Sequence, residues 1–253
     1  MLQSVDSSPS AWSRIPFSFF IEHLPRLRPR YYSISSSSAI SPQTVSITAI
    51  VTRHDVNDTP FQGVASNYIL SVHNQDPSYD LLGPRKALAG KKVYLHLNKS
   101  KFRLPQRLET DVIMICAGTG IAPFRAFIME RTQSEKTIGK MKLFYGCRNE
   151  GEYLYRDELL ALQDKMQGKL EIVPAYSRAG EKVYVQGKVR EQAEEMARMI
   201  LNGANVYICG SAAMAREVEA ELVECLRRDK GAEAEKFVKE TMKKTRRLQE
   251  DVW

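Results

Sequence analysis

Four cysteines in 253 residues, none of them in a C-x-x-C pair, give this chain neither a disulfide framework nor a zinc knuckle. Cys116, Cys147, Cys209 and Cys225 read as reduced, intracellular thiols, three of them at or near the ends of apolar strand-like runs. The histidines (His23, His54, His73, His96) are scattered and show no metal-ligand spacing. No apolar run approaches the roughly 20 residues that span a bilayer. The first residues lack the basic segment and apolar core of a secretory signal. Acidic residues are fewer than basic ones, 30 against 37, for a net charge of +7. Much of that excess lies between Arg227 and Arg247, where interleaved glutamates read as a solvated helix face. There is no nucleic-acid module or basic arm.

What is present is an ordinary apolar content of 43%, enough for a sizeable core and for one large domain or two small ones. Residues 1–14 are serine-rich and read as a disordered tail. Ile15–Leu24 is a short apolar segment with helical character. Arg30–Ser38 begins strand-like, and Thr44–Val51 alternates with Val45, Ile47, Ala49 and Val51 on one face. Asp55–Gln62 reads as a polar loop and Val64–Val72 as a helix. Lys92–Leu97 alternates again, with Val93, Leu95 and Leu97 predicted to point inward. Residues 15–110 thus form the first predicted domain, mostly antiparallel β.

The pattern changes after Asp111. Apolar strands at Val112–Cys116, Lys142–Cys147, Leu170–Tyr176 and Val206–Cys209 alternate with longer helical segments. The helices fit Pro123–Gln133, Arg156–Met166, Gln186–Leu201, Ala213–Arg228 and Glu233–Arg247, with a last short strand over Leu248–Trp253. Alternating β and α predicts a doubly wound parallel sheet covered on both faces, so residues 111–253 form the second domain. Its first strand runs into Ala117-Gly118-Thr119-Gly120-Ile121-Ala122-Pro123-Phe124-Arg125. A buried strand, a glycine turn and a helix start are the parts of a dinucleotide pyrophosphate site. The spacing differs from the Rossmann G-x-G-x-x-G, and an ordinary strand–helix turn would look similar.

Further segments, in a fixed order, carry a family resemblance. Arg30-Tyr31-Tyr32-Ser33-Ile34-Ser35-Ser36-Ser37 resembles the flavin-binding motif of the ferredoxin–NADP reductase superfamily, and Gly63-Val64-Ala65-Ser66-Asn67-Tyr68 its second flavin motif. Ala117–Arg125, Tyr145–Arg148, Ala175–Arg178, Lys182–Gln186, Tyr207–Gly210 and the terminal Asp251-Val252-Trp253 follow in the family's order. Together they resemble the diflavin branch, that of NADPH–cytochrome P-450 reductase, over about residues 15–253. The resemblance implies FAD and NADPH as cofactors and a partial antiparallel flavin barrel ahead of the parallel sheet. It implies a flavodoxin-like FMN domain or a cytochrome P-450 as electron acceptor. No FMN domain is recognisable in this sequence. The expected location is cytoplasmic, at the endoplasmic reticulum surface through such a partner.

Site residues follow from the same resemblance. Arg30 would face the FAD pyrophosphate, as a guanidinium fork suits phosphate oxygens. Tyr31 and Tyr32 would meet the isoalloxazine and ribityl regions; two tyrosines in a strand are equally plain β-formers. Gly63, Val64, Ala65 and Ser66 would present amide groups at a helix start, unless Ser66 is a simple N-cap. Thr48, Ile50 and His54 match positions lining the flavin or adenine. Gly118, Thr119 and Gly120 would cradle the NADPH pyrophosphate. Ser177, Arg178, Lys182, Tyr184 and Gln186 match the group that grips the 2′-phosphate, and Arg148, Met214 and Glu217 match further nucleotide contacts. Ser33, Cys209 and Asp251 would surround the point of hydride transfer, with Trp253 stacked over the flavin; a strand-end cysteine is equally a core residue and a C-terminal tryptophan an apolar anchor. Two residues depart from the pattern: Ser211 follows Cys209-Gly210 where an aspartate is usual, and Leu248 stands for a tyrosine. A non-catalytic NADP(H)-binding or interaction protein is the alternative, and tight FAD binding separates the two.

Overall fold

The computed structural model describes residues 15–25, 28–56, 59–73 and 90–253; the expected tail at 1–14 lies outside them. The chain divides into two compact units. The first holds the described residues up to Tyr32 and those from Ala49 to His96, and the second holds Ser33–Thr48 and Leu97–Trp253.

The first unit contains helix α1 (Phe17–His23), strands β1 (Arg53–Val56) and β2 (Thr59–Gln62), and helix α2 (Val64–His73). The strands form an antiparallel hairpin where a polar loop was expected, with Arg53 opposite Gln62 and His54 opposite Phe61. Strand polarity hid the hairpin, while its rings pair across the ladder: the His54 and Phe61 centroids lie 4.6 Å apart. Lys92–Leu97 is not a strand. It has no ladder partner among the described residues, and Val93, Leu95 and Leu97 are exposed rather than inward.

In the second unit, β3 (Val112–Ala117), β4 (Met141–Cys147), β5 (Leu170–Tyr176), β6 (Asn205–Gly210) and β7 (Leu248–Val252) form one parallel sheet in the order β5-β4-β3-β6-β7. Every residue of β4, and all of β3 but its last, is buried, as expected of strands covered on both faces. Pro174 lies in β5, an edge strand, where a missing amide donor is tolerated. Helices α3 (Ile121–Thr132) and α4 (Arg156–Lys165) cover one face, and α5 (Val185–Glu191), α6 (Ala193–Leu201) and α7 (Ala212–Lys230) cover the other. Alternation along β3 sends Val112, Met114 and Cys116 to the first layer, with Phe124, Ile128 and Leu159. It sends Ile113 and Ile115 to the second, with Val189, Ile200, Val218 and Leu222. Each such side chain contributes about 1.5–3 kcal/mol on burial. Lys142 is the charged residue buried within the strands, 2% exposed on β4. Its ammonium meets Glu171 on the neighbouring strand at 2.9 Å and Glu195 on α6, so the charge is paired where it is buried.

Two predicted helices are broken. Gln186–Leu201 divides at Gln192, with Val185, Val189, Met196 and Ile200 buried on both sides of the break; the apolar period runs through it, so the sequence reads as one helix. Glu233–Arg247 becomes a 3₁₀ turn (Gly231–Glu233), an α turn (Ala234–Lys236) and a π segment (Phe237–Met242) that bury Ala234, Val238 and Met242. The basic stretch is paired as expected of a solvated face: Arg227 with Glu224 at 2.8 Å, Lys239 with Glu235 at 2.6 Å, and Lys243 with Glu219 at 2.6 Å and Glu250 at 3.2 Å.

Residues 33–48 meet as two arms but not as the two strands expected. Their contact is a single bridge, Ile34 opposite Ile47, with the Ser35 amide donating to Ser46 O at 2.8 Å. Serine hydroxyls take the place of the ladder: Ser36 Oγ accepts from the Ser46 amide at 3.0 Å and donates to Thr44 O at 3.2 Å. Side chains of this kind compete with backbone pairing, which is why a serine-rich run with strand-like ends stops pairing.

Candidate functional site

The sheet order makes β3 the strand at which the direction of winding reverses, with β4 on one side and β6 on the other. Ligands of open α/β sheets bind at the carboxyl ends of the strands flanking such a point. Here those ends carry the glycine turn and Cys209-Gly210. Gly118 has φ +55°, and a Cβ there would meet nothing within 4 Å, so the backbone faces open space. Gly120 is the opposite case: a Cβ would stand 2.2 Å from Cys209 O and 2.8 Å from its carbonyl carbon. One glycine permits the turn; the other lets α3 start against β6. Thr119 lies half-buried between them in a 3₁₀ turn, and α3 begins at Ile121. The open backbone above Gly118, at the start of a helix, fits a pyrophosphate.

Past the carboxyl ends of β4 and β5 the ladder continues. The Ser177 amide donates to Cys147 O at 3.0 Å and the Arg178 amide to Arg148 O at 2.7 Å. The Val183 amide then returns to Tyr176 O at 3.0 Å, closing the Ser177–Lys182 turn. Arg178 and Lys182 are exposed, and neither forms an ion pair with a described carboxylate. Lys182 Nζ lies 5.2 Å from the Tyr184 ring centroid. Gln186 Nε2 donates to Glu217 Oε2 at 2.5 Å, joining α5 to α7, and Arg148 reaches Glu152 at 3.5 Å. Two unpaired cations on one turn fit an added phosphate dianion. Met214 is buried, with its Sδ and Cε against Gly210. Ser211 caps α7, its Oγ accepting from the Met214 amide at 3.2 Å. Leu248 is buried in the layer beneath α7.

Ser33, Cys209 and Asp251 come together. Ser33 Oγ donates to Asp251 Oδ2 at 2.5 Å, and Cys209 Sγ lies 4.0 Å from the same oxygen. Cys209 and Asp251 are register partners on β6 and β7, so their proximity is a property of the sheet. Burial first, then the neighbouring carboxylate, pushes the Cys209 thiol well above its ordinary range. Burial, with Cys209 and Cys147 nearby, does the same to Cys116. All four cysteines are free and buried. The Trp253 amide donates to Gly210 O at 3.2 Å and its carbonyl accepts from the Ala212 amide at 3.2 Å, which fixes the backbone while the side chain stays 62% exposed.

Of the flavin-side residues, Arg30, Tyr31, Tyr32, Ile50, His54 and Gly63–Ser66 belong to the first unit, and Ser33 and Thr48 to the second. Tyr31 is 81% exposed and Ile50 is also exposed; Arg30 Nη1 donates to Arg28 O at 2.6 Å. A Cβ on Gly63 would stand 2.9 Å from Thr52 Cβ. Ser66 is not the helix cap considered above: its Oγ accepts from the Thr52 amide at 3.0 Å. Asn67 Nδ2 donates to Thr52 O at 3.0 Å and Gly63 O at 2.8 Å. The first helical amide bond at this end runs from Asn67 to Gly63, leaving Val64, Ala65 and Ser66 as amides without intrahelical acceptors, a fit for phosphate.

Sequence reasoning missed Arg125, Tyr155 and Glu158. Arg125 on α3 forms a two-pronged pair with Glu158 on α4, Nε to Oε2 at 2.7 Å and Nη2 to Oε1 at 2.8 Å. Its Nη1 donates to Ser35 O at 2.6 Å, and Thr48 Oγ1 lies 2.6 Å from Tyr155 Oη. Arg125 ends the glycine-turn motif and was visible there, but partners 33 residues onward leave no local spacing to read.

Comparison with known proteins agrees with this geometry. The oxidoreductase NAD-binding domain family matches residues 114–220, and the FAD binding domain family matches residues 5–68. NADPH–cytochrome P450 reductase of Aspergillus fumigatus is 42% identical, covering 100% of this chain and 39% of that protein. The enzyme of the same name from Saccharomyces cerevisiae is 41% identical, covering 98% and 40%, and that of Candida maltosa is 37% identical, covering 98% and 39%. Over its whole length the chain is similar to NADPH–cytochrome P450 reductases, and it matches an FAD binding domain and an oxidoreductase NAD-binding domain. It spans about two fifths of the length of these relatives. With an FAD binding domain and an NAD-binding domain both matched, its cofactors are FAD and NADPH. Its architecture, a small antiparallel sheet and a five-stranded parallel sheet, is that of the ferredoxin–NADP reductase-like fold.

Proposed function

We propose that this chain is an FAD/NADPH module that takes hydride from NADPH onto FAD and passes electrons to an acceptor of the P450 reductase type. Residues 15–110 would serve the flavin and residues 111–253 the nicotinamide dinucleotide. The observation that carries this reading is the meeting of Ser33, Cys209 and Asp251 at the carboxyl ends of β6 and β7, beside the glycine turn.

NADPH and FAD, when bound, supply the hydride donor and the hydride acceptor. The chain's residues set the charge around that exchange. Asp251 holds the Ser33 proton through Oδ2 and carries the negative charge of the cluster; such a charge favours a positive charge developing beside it. Cys209 keeps its proton at neutral pH, because burial and Asp251 both oppose the thiolate, so it fills space without acting as a nucleophile. Gly118–Gly120 would hold the pyrophosphate, and Ser177, Arg178, Lys182, Tyr184 and Gln186 the 2′-phosphate, with Arg148, Met214 and Glu217 at the rim. Arg30, Tyr31, Tyr32, Thr48, Ile50, His54 and Gly63–Ser66 would contact FAD. The exposed Trp253 ring would cover the flavin face that nicotinamide needs.

The acceptor would be a flavodoxin-like FMN domain or a cytochrome P450, the protein that the relatives' name specifies. No helix among the described residues is long and apolar enough to cross a membrane. A second reading, an NADP(H)-binding protein without hydride transfer, draws on the exposed Val93, Leu95 and Leu97 and the single bridge of the flavin-motif segment.

An anaerobic titration tests both. FAD is added to the purified chain, then NADPH, while the flavin absorbance is followed. Stoichiometric flavin bleached by NADPH supports hydride transfer; NADP⁺ binding without bound flavin supports the second reading.

A further inference from the structure

Arg125 has no part in the nucleotide contacts assigned above, although it closes the glycine-turn motif. Its guanidinium is engaged on three sides. Nε and Nη2 grip Glu158, Nη1 reaches Ser35 O at 2.6 Å, and the flat face lies 4.6 Å from the Tyr155 ring centroid. Only arginine combines a planar fork with a stacking face. Tyr155 in turn has φ 58° and ψ 23°, a left-handed backbone that is uncommon for a bulky residue. That conformation opens α4 with the ring under Arg125 and the hydroxyl 2.6 Å from Thr48 Oγ1. Unusual backbone of this kind persists where the surroundings over-determine it.

Ser35 and Thr48 are the two arms of the segment 33–48. They are tied to each other through the Ile34–Ile47 bridge and the Ser35 amide on Ser46 O. One arm is pinned by Arg125 and the other by Tyr155. Ser33 stands two residues before the pinned carbonyl, and its hydroxyl meets Asp251 on the edge strand β7. The bridge and the Ser36 hydroxyl's bonds to Thr44 and Ser46 tie the two arms to each other, but they do not tie them to the sheet.

We propose that Arg125 is a positioning residue: with Tyr155 and Glu158 it clamps residues 33–48 to the nucleotide-binding sheet and thereby sets Ser33 Oγ against Asp251. Its effect on hydride transfer rests on the function proposed above; the clamp itself does not.

The test uses the whole chain and two variants, Arg125→Lys, which keeps the charge but loses the fork and the flat face, and Tyr155→Phe, which keeps the ring but loses one hydroxyl. Amide hydrogen exchange is measured across the chain with NADP⁺ present. The expected result is exchange at Ser35 and Ser46 faster by about tenfold or more in Arg125→Lys, and by less in Tyr155→Phe, with β3 and β4 unchanged. Binding of 2′,5′-ADP should stay within about twofold, since Arg125 lies outside that contact set. In the flavin-loaded chain the single-turnover rate should fall about tenfold or more while the NADPH concentration at half-saturation holds, because misplacement costs rate rather than binding. Exchange at 33–48 unchanged in both variants would overturn the clamp. So would equal acceleration in β3 and β4, which would make Arg125 a general stabiliser of the sheet. If the parent chain reduces no flavin, the proposed function fails, and the exchange result still decides the clamp.

Discussion

A Cβ placed on Gly120 would stand 2.2 Å from the carbonyl oxygen of Cys209. That oxygen belongs to the backbone of an interior strand buried from Val206 to Gly210, and it cannot swing aside. Gly120→Ala must therefore push α3 from β6, at a cost of about 1–3 kcal/mol, as for other overpacked sites. It should also weaken NADP⁺ binding, because the turn widens. Gly118→Ala meets open space but a positive φ, so strain alone should act there. Urea denaturation and NADP⁺ titration of both variants check this; equal stability of Gly120→Ala and the parent chain would count against the packing argument.

Arg178 and Lys182 face solvent without a described carboxylate partner. If they grip the 2′-phosphate, NADPH should be preferred over NADH by two or more orders of magnitude. Arg178→Ala should cut that preference about ten- to a hundredfold, the worth of one charge-assisted hydrogen bond of about 1.5–3 kcal/mol. Steady-state ratios for the two nucleotides are the measurement. An unchanged ratio would remove Arg178 from the site.

Trp253 is held by its backbone at Gly210 and Ala212, leaving the ring free to move. Trp253→Ala should raise turnover with NADH relative to NADPH, or alter nicotinamide release, without changing the sheet. Parallel kinetics for the two nucleotides in variant and parent would exclude a gate.

The thiols predict a pH dependence. Burial, aided by Glu152, pushes Cys147 up to about 11, and burial with Glu221 does the same for Cys225, from an ordinary 9.0. A thiol whose pKa is raised in the folded state stabilises the fold fully below its unfolded pKa, and that stability fades as pH rises through the folded one. Denaturation midpoints should hold to about pH 9 and decline towards pH 11. At pH 7–8 none of the four thiols should react readily with iodoacetamide. Fast labelling of Cys209 would contradict its burial.

The parallel half of the fold was legible because its signals are local. Val112–Cys116 is an unbroken apolar run, and Gly118 and Gly120 follow it directly as a turn. The antiparallel half was legible in kind, since a small antiparallel sheet is present, but its strands were not placed. Whether Thr44–Val51 forms a strand depends on which hydroxyls reach Ser46 and Thr44 first, and Lys92–Leu97 alternates whether or not a neighbour pairs with it. The same distinction divides the site. Ser33, Cys209 and Asp251 were grouped through family resemblance, and only register explains the last two: β6 and β7 align them. Arg125 lay in a quoted motif without a role, since its partners Ser35 and Glu158 lie 90 residues before it and 33 after.

The strand order also sets a sequence of events. β3, β4 and β5 are neighbours both in the chain and in the sheet, so they can assemble early. Pairing Val112 with Asn205 instead joins residues 93 positions apart, a slow step for a chain searching its conformations. The crevice at which that step closes is the one beneath the glycine turn. Nucleotide present during refolding should therefore act on the late phase, capturing the joined halves and leaving the early phase untouched.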